Sequence, residues 1–436
     1  MNMFILVLFI FLIIVYFKIK KQSSISILKM PFWLIISYSF LFLVHLFSGI
    51  SFNVGNPIRI LPYVILCLLL LLIGYKIGRS VNMVSYSNSI KIRLSKLTFL
   101  SIFGVIIYLF DLFRLNTINF GLRIDDLQIS IIGVIGNVLA SLGIIVWLSS
   151  LYYNNIFNVK IPFSSYICSL CFVLGGVISA GRQAIILLFL SSLIMVLWSS
   201  KKRKEINPNK IKRKKKSLPW GILVILSLFI SYFVMISSFR SGILDIDDKI
   251  EMFEKTSNAK VNEKTRTDIV NLGLFSHTYL EGLYYYSHQM TRLDLLFQNY
   301  DYYPLLGLSQ FHYLERRVQW LFGKQGDISW QEQEDAIEQK GRFSSHTWGT
   351  FITDYIVDFG RFGALLACLF TGFLLGVVYQ NLKNKETNEK VIQHCLIISG
   401  VIFSIQFSPI SELIWAFPLF IISFIEITNP KLKKYV

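Results

Sequence analysis

In the stretch SSHTWGTFITDYIVDFGRFG, residues 344–363, His346, Thr350, Asp354 and Asp358 recur every four positions. On a helix that spacing gathers them into one polar stripe. An imidazole or carboxylate near an apolar boundary can have its pKa moved toward neutrality and can then take the proton of a hydroxyl. His346 and Asp354 are therefore candidate general bases, and a plain polar face is the competing reading of the stripe. Anion chemistry points elsewhere in the chain, because the planar guanidinium binds phosphate oxygens in pairs. Arg182 in SAGRQAI and Arg240 in SSFRSGILD are candidates for such a site. Each also reads as an interfacial arginine whose charged head reaches water. Arg123 in FGLRIDD is a third arginine of this kind, with Asp125 and Asp126 beside it for local charge pairing.

Metal chemistry is weakly represented. His277, Glu281 and His288 fall on one helical face in SHTYLEGLYYYSH and are zinc-ligand types, but their spacing matches no established ligand pattern. A polar helix face is the plainer reading. The Asp-x-Asp within LDIDD, residues 244–248, could hold a divalent ion, and a solvated turn fits it better. Cys168 and Cys171 form a CxxC on an apolar run, where packing of small residues is expected. All five cysteines lie in apolar runs, so nothing implies a disulfide. No metal and no cofactor are expected. Gly372 and Gly376 make a GxxxG that allows close helix contact, and Gly360 and Gly363 separate the polar stripe from the apolar run after it.

The elements that must carry these residues follow from composition. With 54% hydrophobic and only 16% charged residues, and apolar runs of about twenty residues recurring along the chain, the sequence predicts an all-α polytopic membrane bundle. Eleven spans are expected: 3–17, 31–52, 60–77, 97–115, 129–153, 162–180, 183–198, 218–238, 362–380, 391–408 and 410–428. The first has no basic residue before it and KIKK after it, so it reads as a retained span. Basic residues favour the cytoplasmic side. One set of alternate loops carries 25 lysines and arginines, whereas the opposite short loops carry Arg59, Arg123 and Arg182, with Arg114 at a span end. This alternation places the N-terminus outside and the C-terminus inside.

The net charge of +17 includes the cluster KKRKEINPNKIKRKKK between two spans. There it serves topology and anionic lipid headgroups, and nucleic acid is not an expected partner. Three regions result: an N-terminal bundle over 1–238, a polar extracytoplasmic loop over 239–346, and a C-terminal group of spans over 347–436. The loop holds 12 basic and 16 acidic residues. Its amphipathic, aromatic patches suggest helices lying on the membrane surface or capping the bundle.

The layout of about eleven spans, a large outer loop before the last three, SAGRQAI at a span turn, SSFRSG opening the loop and HTWGTFITDYIVDFGRFG closing it resembles the bacterial oligosaccharide repeat-unit polymerases of the Wzy type, akin to O-antigen and capsule polymerases. That resemblance implies a glycosyltransferase of the bacterial plasma membrane. It would move a growing glycan from undecaprenyl diphosphate onto the next lipid-linked repeat unit on the outer leaflet, without metal or nucleotide. It implies that Arg182 and Arg240 hold diphosphate, and it maps the closing motif onto His346, Thr347, Asp354, Tyr355, Gly360 and Gly363. Membrane lipids and a chain-length regulator protein are the further partners it implies. A lipid-linked glycan flippase, another transporter, or an O-antigen ligase-like transferase are the alternatives. The two related halves typical of transporters are not apparent in the sequence.

Overall fold

A computed structural model describes residue 14 and residues 23–53, 55–81, 90–115, 130–178, 183–206, 245–299, 304–307, 310, 349–406 and 413–428. These residues are mostly helical. In chain order the elements are α1 (Ser24–Ile27), α2 (Met30–Phe47), β1 (Ile50–Phe52), α3 (Pro57–Ser80), β2 (Ile90–Arg93), α4 (Leu94–Arg114), α5 (Ile131–Ser141), α6 (Gly143–Phe157), α7 (Phe163–Ile178) and α8 (Gln183–Ile206). There follow α9 (Ile246–Ser257), β3 (Ala259–Val261), α10 (Glu263–Val270), α11 (Ser276–Asn299), α12 (Phe351–Asn384), α13 (Asn388–Phe403), α14 (Leu413–Phe424) and β4 (Ile425–Thr428).

Among the described residues six helical stretches are long and apolar enough to cross a bilayer: α2, α3, α4, the joined α5 and α6, α8, and α12. At the other expected spans the chain is helical but shorter, with 16 residues in α7, 16 in α13 and 12 in α14. The expected spans at 3–17 and 218–238 lie outside the described residues.

Local chemistry sets the helix starts. Asn56 accepts from the Ile58 N–H ahead of Pro57, Ser130 from Ile132, Asn262 from Thr265, and Thr387 from Lys390. Asn158 and Asn258 end α6 and α9 in the left-handed conformation that asparagine tolerates.

The tightest joint in the bundle is between α3 and α12. Gly74 and Gly78 on α3 face the backbone of Leu369 and Phe373, and Gly372 and Gly376 on α12 face the backbone of Leu71 and Tyr75. A Cβ at any of the four would sit inside the van der Waals shell of an opposing carbonyl oxygen. The packing reading of Gly372 and Gly376 thus holds, and α3 supplies the reciprocal pair. Cys168 and Cys171 are buried where α7 packs on α4, α5 and α6, as the small-residue reading expects.

The connecting segments sort into two ends. At one end β1 pairs antiparallel with β3, and α11 lies against α2, α3 and α12. At the other, β2 pairs parallel with β4, Ser24 binds Glu205, Lys202 pairs with Glu386, and the Tyr379 hydroxyl donates to the Ile25 carbonyl. The segments that meet at this second end are the ones the sequence marks as rich in lysine and arginine.

Candidate functional site

The polar stripe 346–358 begins outside the described residues, since His346 and Thr347 are not among them. Its remaining members build a short, separate helix. Thr350 caps α12 through its hydroxyl, accepting from the Thr353 N–H at 3.3 Å, and Asp354 stands in the first turn, where a negative charge suits the helix dipole. Gly360 then leaves helical geometry at φ 71°, ψ 175°, conformational space open to glycine alone. The segment 351–359 is therefore a half-helix set apart from the apolar run that follows it. Gly360 makes this break, and Gly363 continues inside the second helix.

The backbone ends of the half-helix are tied to distant parts of the chain. The Phe351 N–H donates to the Ser404 carbonyl at 2.9 Å. At its other end, Leu305 donates to the Val357 carbonyl at 3.3 Å and Leu306 to that of Asp358 at 2.8 Å. Along its length Asp358 is fully buried, Asp354 is half-buried, and Tyr355 is buried with its hydroxyl 2.7 Å from Thr371 Oγ1. Phe351 packs edge-on against Tyr38 and Tyr355. Aromatic rings thus cluster on the same half-helix as a carboxylate that is only partly buried. Such a group can accept a hydrogen bond from a substrate hydroxyl and act as its base.

The helix α11 packs against α2, α3 and α12. Twenty-four residues give it a length of about 36 Å. From its middle to its C-terminus it crosses the mouth of the bundle in steps: Tyr286 packs on Phe40, the Ser287 carbonyl lies 2.9 Å from His45 Nδ1, the Asn56 N–H donates to Asp294 at 2.6 Å, and Phe297 packs on Tyr63. Arg361, just past the break in α12, donates to the Gln298 carbonyl at 3.3 Å and lies over the Phe297 ring. The half-helix and α11 are thereby joined at Gly360. Ser287, Thr291, Asp294 and Gln298 recur at intervals of four, three and four, a helical polar face that is legible in the sequence and that the site residues named above did not include.

The histidine pair of α11 does not assemble as a metal set. Glu281 is ion-paired with Lys249 of α9 at 3.0 Å, with the lysine side chain only 4% exposed. No group of three metal-ligand types occurs among the described residues. Burial, and next the charge of Lys249, depress the pKa of His277 against the opposing pull of Glu281 and Asp245. Burial, and then Arg292, push His288 well below its usual value, and its ring stacks on Tyr284. In LDIDD, Asp245 caps α9 by accepting from the Ile246 N–H, and Asp247 pairs with Arg266 at 2.8 Å. Those carboxylates start a helix and hold α10 against it. Arg123, Arg182 and Arg240 lie outside the described residues, so the diphosphate grip inferred for Arg182 and Arg240 has no geometry here.

Comparison with protein families, with curated proteins and with solved structures gives no match for this chain.

Proposed function

We propose that this membrane protein is a glycosyltransferase that joins lipid-linked oligosaccharide repeat units at the outer leaflet. The observation that carries the reading is the convergence, at one end of the bundle, of a broken helix bearing Asp354 with a polar loop helix laid across the spans. A polymerase needs a polar cleft at a membrane mouth, where a lipid diphosphate and a sugar hydroxyl can meet. In the proposed reaction the acceptor hydroxyl oxygen bonds to the anomeric carbon of the growing chain as the bond from that carbon to the diphosphate oxygen breaks. The leaving electron pair stays on the lipid diphosphate, and Asp354 or His346 takes the hydroxyl proton. Arg182 and Arg240 would stabilise the charge gathering on the leaving group, and losing one such preorganised donor costs about 2.7 to 4 kcal/mol in comparable sites.

The test is purified protein with a lipid-linked repeat unit in the absence of added metal, read as a glycan ladder. Wild type is expected to give a ladder, and Arg182→Ala and Arg240→Ala to give single units only. Ladders of normal length from both variants would sink the diphosphate assignment. The break at Gly360 favours one second reading, a flippase or transporter, because such proteins bind substrate at interrupted helices. In cells lacking the protein, accumulation of repeat units on the inner leaflet would select the flippase. Accumulation on the outer leaflet would select the transferase.

A further inference from the structure

On the face of α11 turned to the α2–α3 turn, two buried oxygens make no hydrogen bond. Asp294 is fully buried, and its Oδ2 accepts from the Asn56 N–H at 2.6 Å and from Gln298 Nε2 at 2.6 Å, while its Oδ1 accepts nothing. Thr291, also fully buried, has an unbonded Oγ1. A helical threonine hydroxyl commonly donates to the carbonyl four residues back. Here that carbonyl, of Ser287, is engaged by His45 Nδ1 at 2.9 Å. Thr291 and Asp294 are three residues apart and share a face. Gly55, at φ 78°, brings the turn against them, since a Cβ there would lie 2.9 Å from Thr291 Cγ2 and 3.1 Å from its carbonyl oxygen.

Among the described residues no basic side chain pairs with Asp294. A charge taken out of water without a counter-charge is strongly disfavoured, and a bound ion is one way to satisfy an orphaned buried oxygen. The unbonded atoms are one carboxyl and one hydroxyl oxygen, hard ligands of the kind an alkali cation takes. Both side chains are fully buried, so a sugar has no access to them. We propose that Asp294 Oδ1 and Thr291 Oγ1 are two ligands of an alkali-cation site that fastens α11 to the turn between α2 and α3. Backbone carbonyl and water oxygens complete the coordination. The site stands on these contacts alone and is independent of the transferase reading.

The test uses the full chain in detergent micelles, with thermal unfolding followed in sodium, potassium or choline chloride at one ionic strength. Sodium or potassium is expected to raise the midpoint over choline in a concentration-dependent way, as a ligand specific for the folded state does, and the two arms identify the ion. Asp294→Asn keeps an acceptor for the Asn56 N–H and should lose that increment. Thr291→Val, close in shape to the native residue, should lose most of it. If Asp294→Asn does not fold, Thr291→Val together with binding of radioactive sodium and potassium to wild type decides the matter. A midpoint indifferent to all three salts overturns the site. So does an increment that survives Thr291→Val, or a midpoint that rises on acidification with no response to alkali cations, which would make the carboxyl protonated.

Discussion

The carboxylates of the half-helix divide by access. Asp358 is fully buried and Asp354 is half-buried, so only Asp354 can meet a substrate hydroxyl without local opening. Asp354→Asn is expected to lower glycan-ladder formation by about 10²- to 10⁴-fold, the ordinary contribution of a general base, with folding intact. A ladder at the wild-type rate would remove Asp354 from the chemistry. His288 makes a different prediction, about stability. Burial and Arg292 hold its folded pKa well below the unfolded value of about 6.5, so the unfolded chain binds the extra proton first. The stability it contributes is present above that unfolded pKa and is lost as pH falls through and below it. The thermal midpoint should thus drop on acidification from pH near 7, and His288→Gln should flatten the drop. His277 is shifted in the same direction and would leave a residual slope. The sequence showed Asp354 and the His277, Glu281, His288 face by their spacing. It did not show that Glu281 is taken by Lys249, because that partner is 32 residues away and meets it only through the folding of α9 onto α11.

At the scale of elements, spans were legible because hydrocarbon length imposes a long apolar run. The expected span at 362–380 begins where the helix restarts after the break at Gly360. The half-helix before it, from Phe351, is held by backbone hydrogen bonds to Ser404 and to residues 305–306, partners too distant in sequence to be read from hydropathy. The Gly372 and Gly376 motif was visible, and its partner glycines on α3 were not singled out, since a GxxxG names a small-residue surface without naming what lies on it. That joint predicts a steep response. Gly372→Leu or Gly74→Leu should push α3 from α12 and cost on the order of 1–3 kcal/mol or more, read as a lower thermal midpoint or loss of folded protein. Gly282 in α11 is the control. A Cβ there meets nothing within 4 Å, and Gly282→Ala should be neutral or stabilising by up to about 1 kcal/mol. Equal damage from both substitutions would mean that close approach is not what the α3 and α12 glycines provide.

At the scale of the whole molecule, two small sheets among the described residues pin opposite ends of the bundle, and each joins segments far apart in sequence. β1 meets β3 through the pairing of Ser51 with Lys260, and β2 meets β4 through that of Lys91 with Glu426. β3 and β2 fall in the segments 239–346 and 78–96, which the charge alternation assigns to opposite sides, whereas β1 and β4 take up the last residues of the expected spans 31–52 and 410–428. The sheets form only if those assignments are mutually consistent, because strands on opposite faces of a bilayer cannot pair. On the charge count the β1–β3 end is expected outside, and that direction can be measured. Lys260 and Lys91 are exposed, whereas all five native cysteines are buried, so a cysteine introduced at either position reports its own location. In intact cells a membrane-impermeant maleimide should label Lys260→Cys and spare Lys91→Cys, and permeabilised cells should show both labelled. Labelling of the two from the same side would break the alternation, and the reverse pattern would place α11 and Asp354 in the cytoplasmic half, where an outer-leaflet polymerase could not use them.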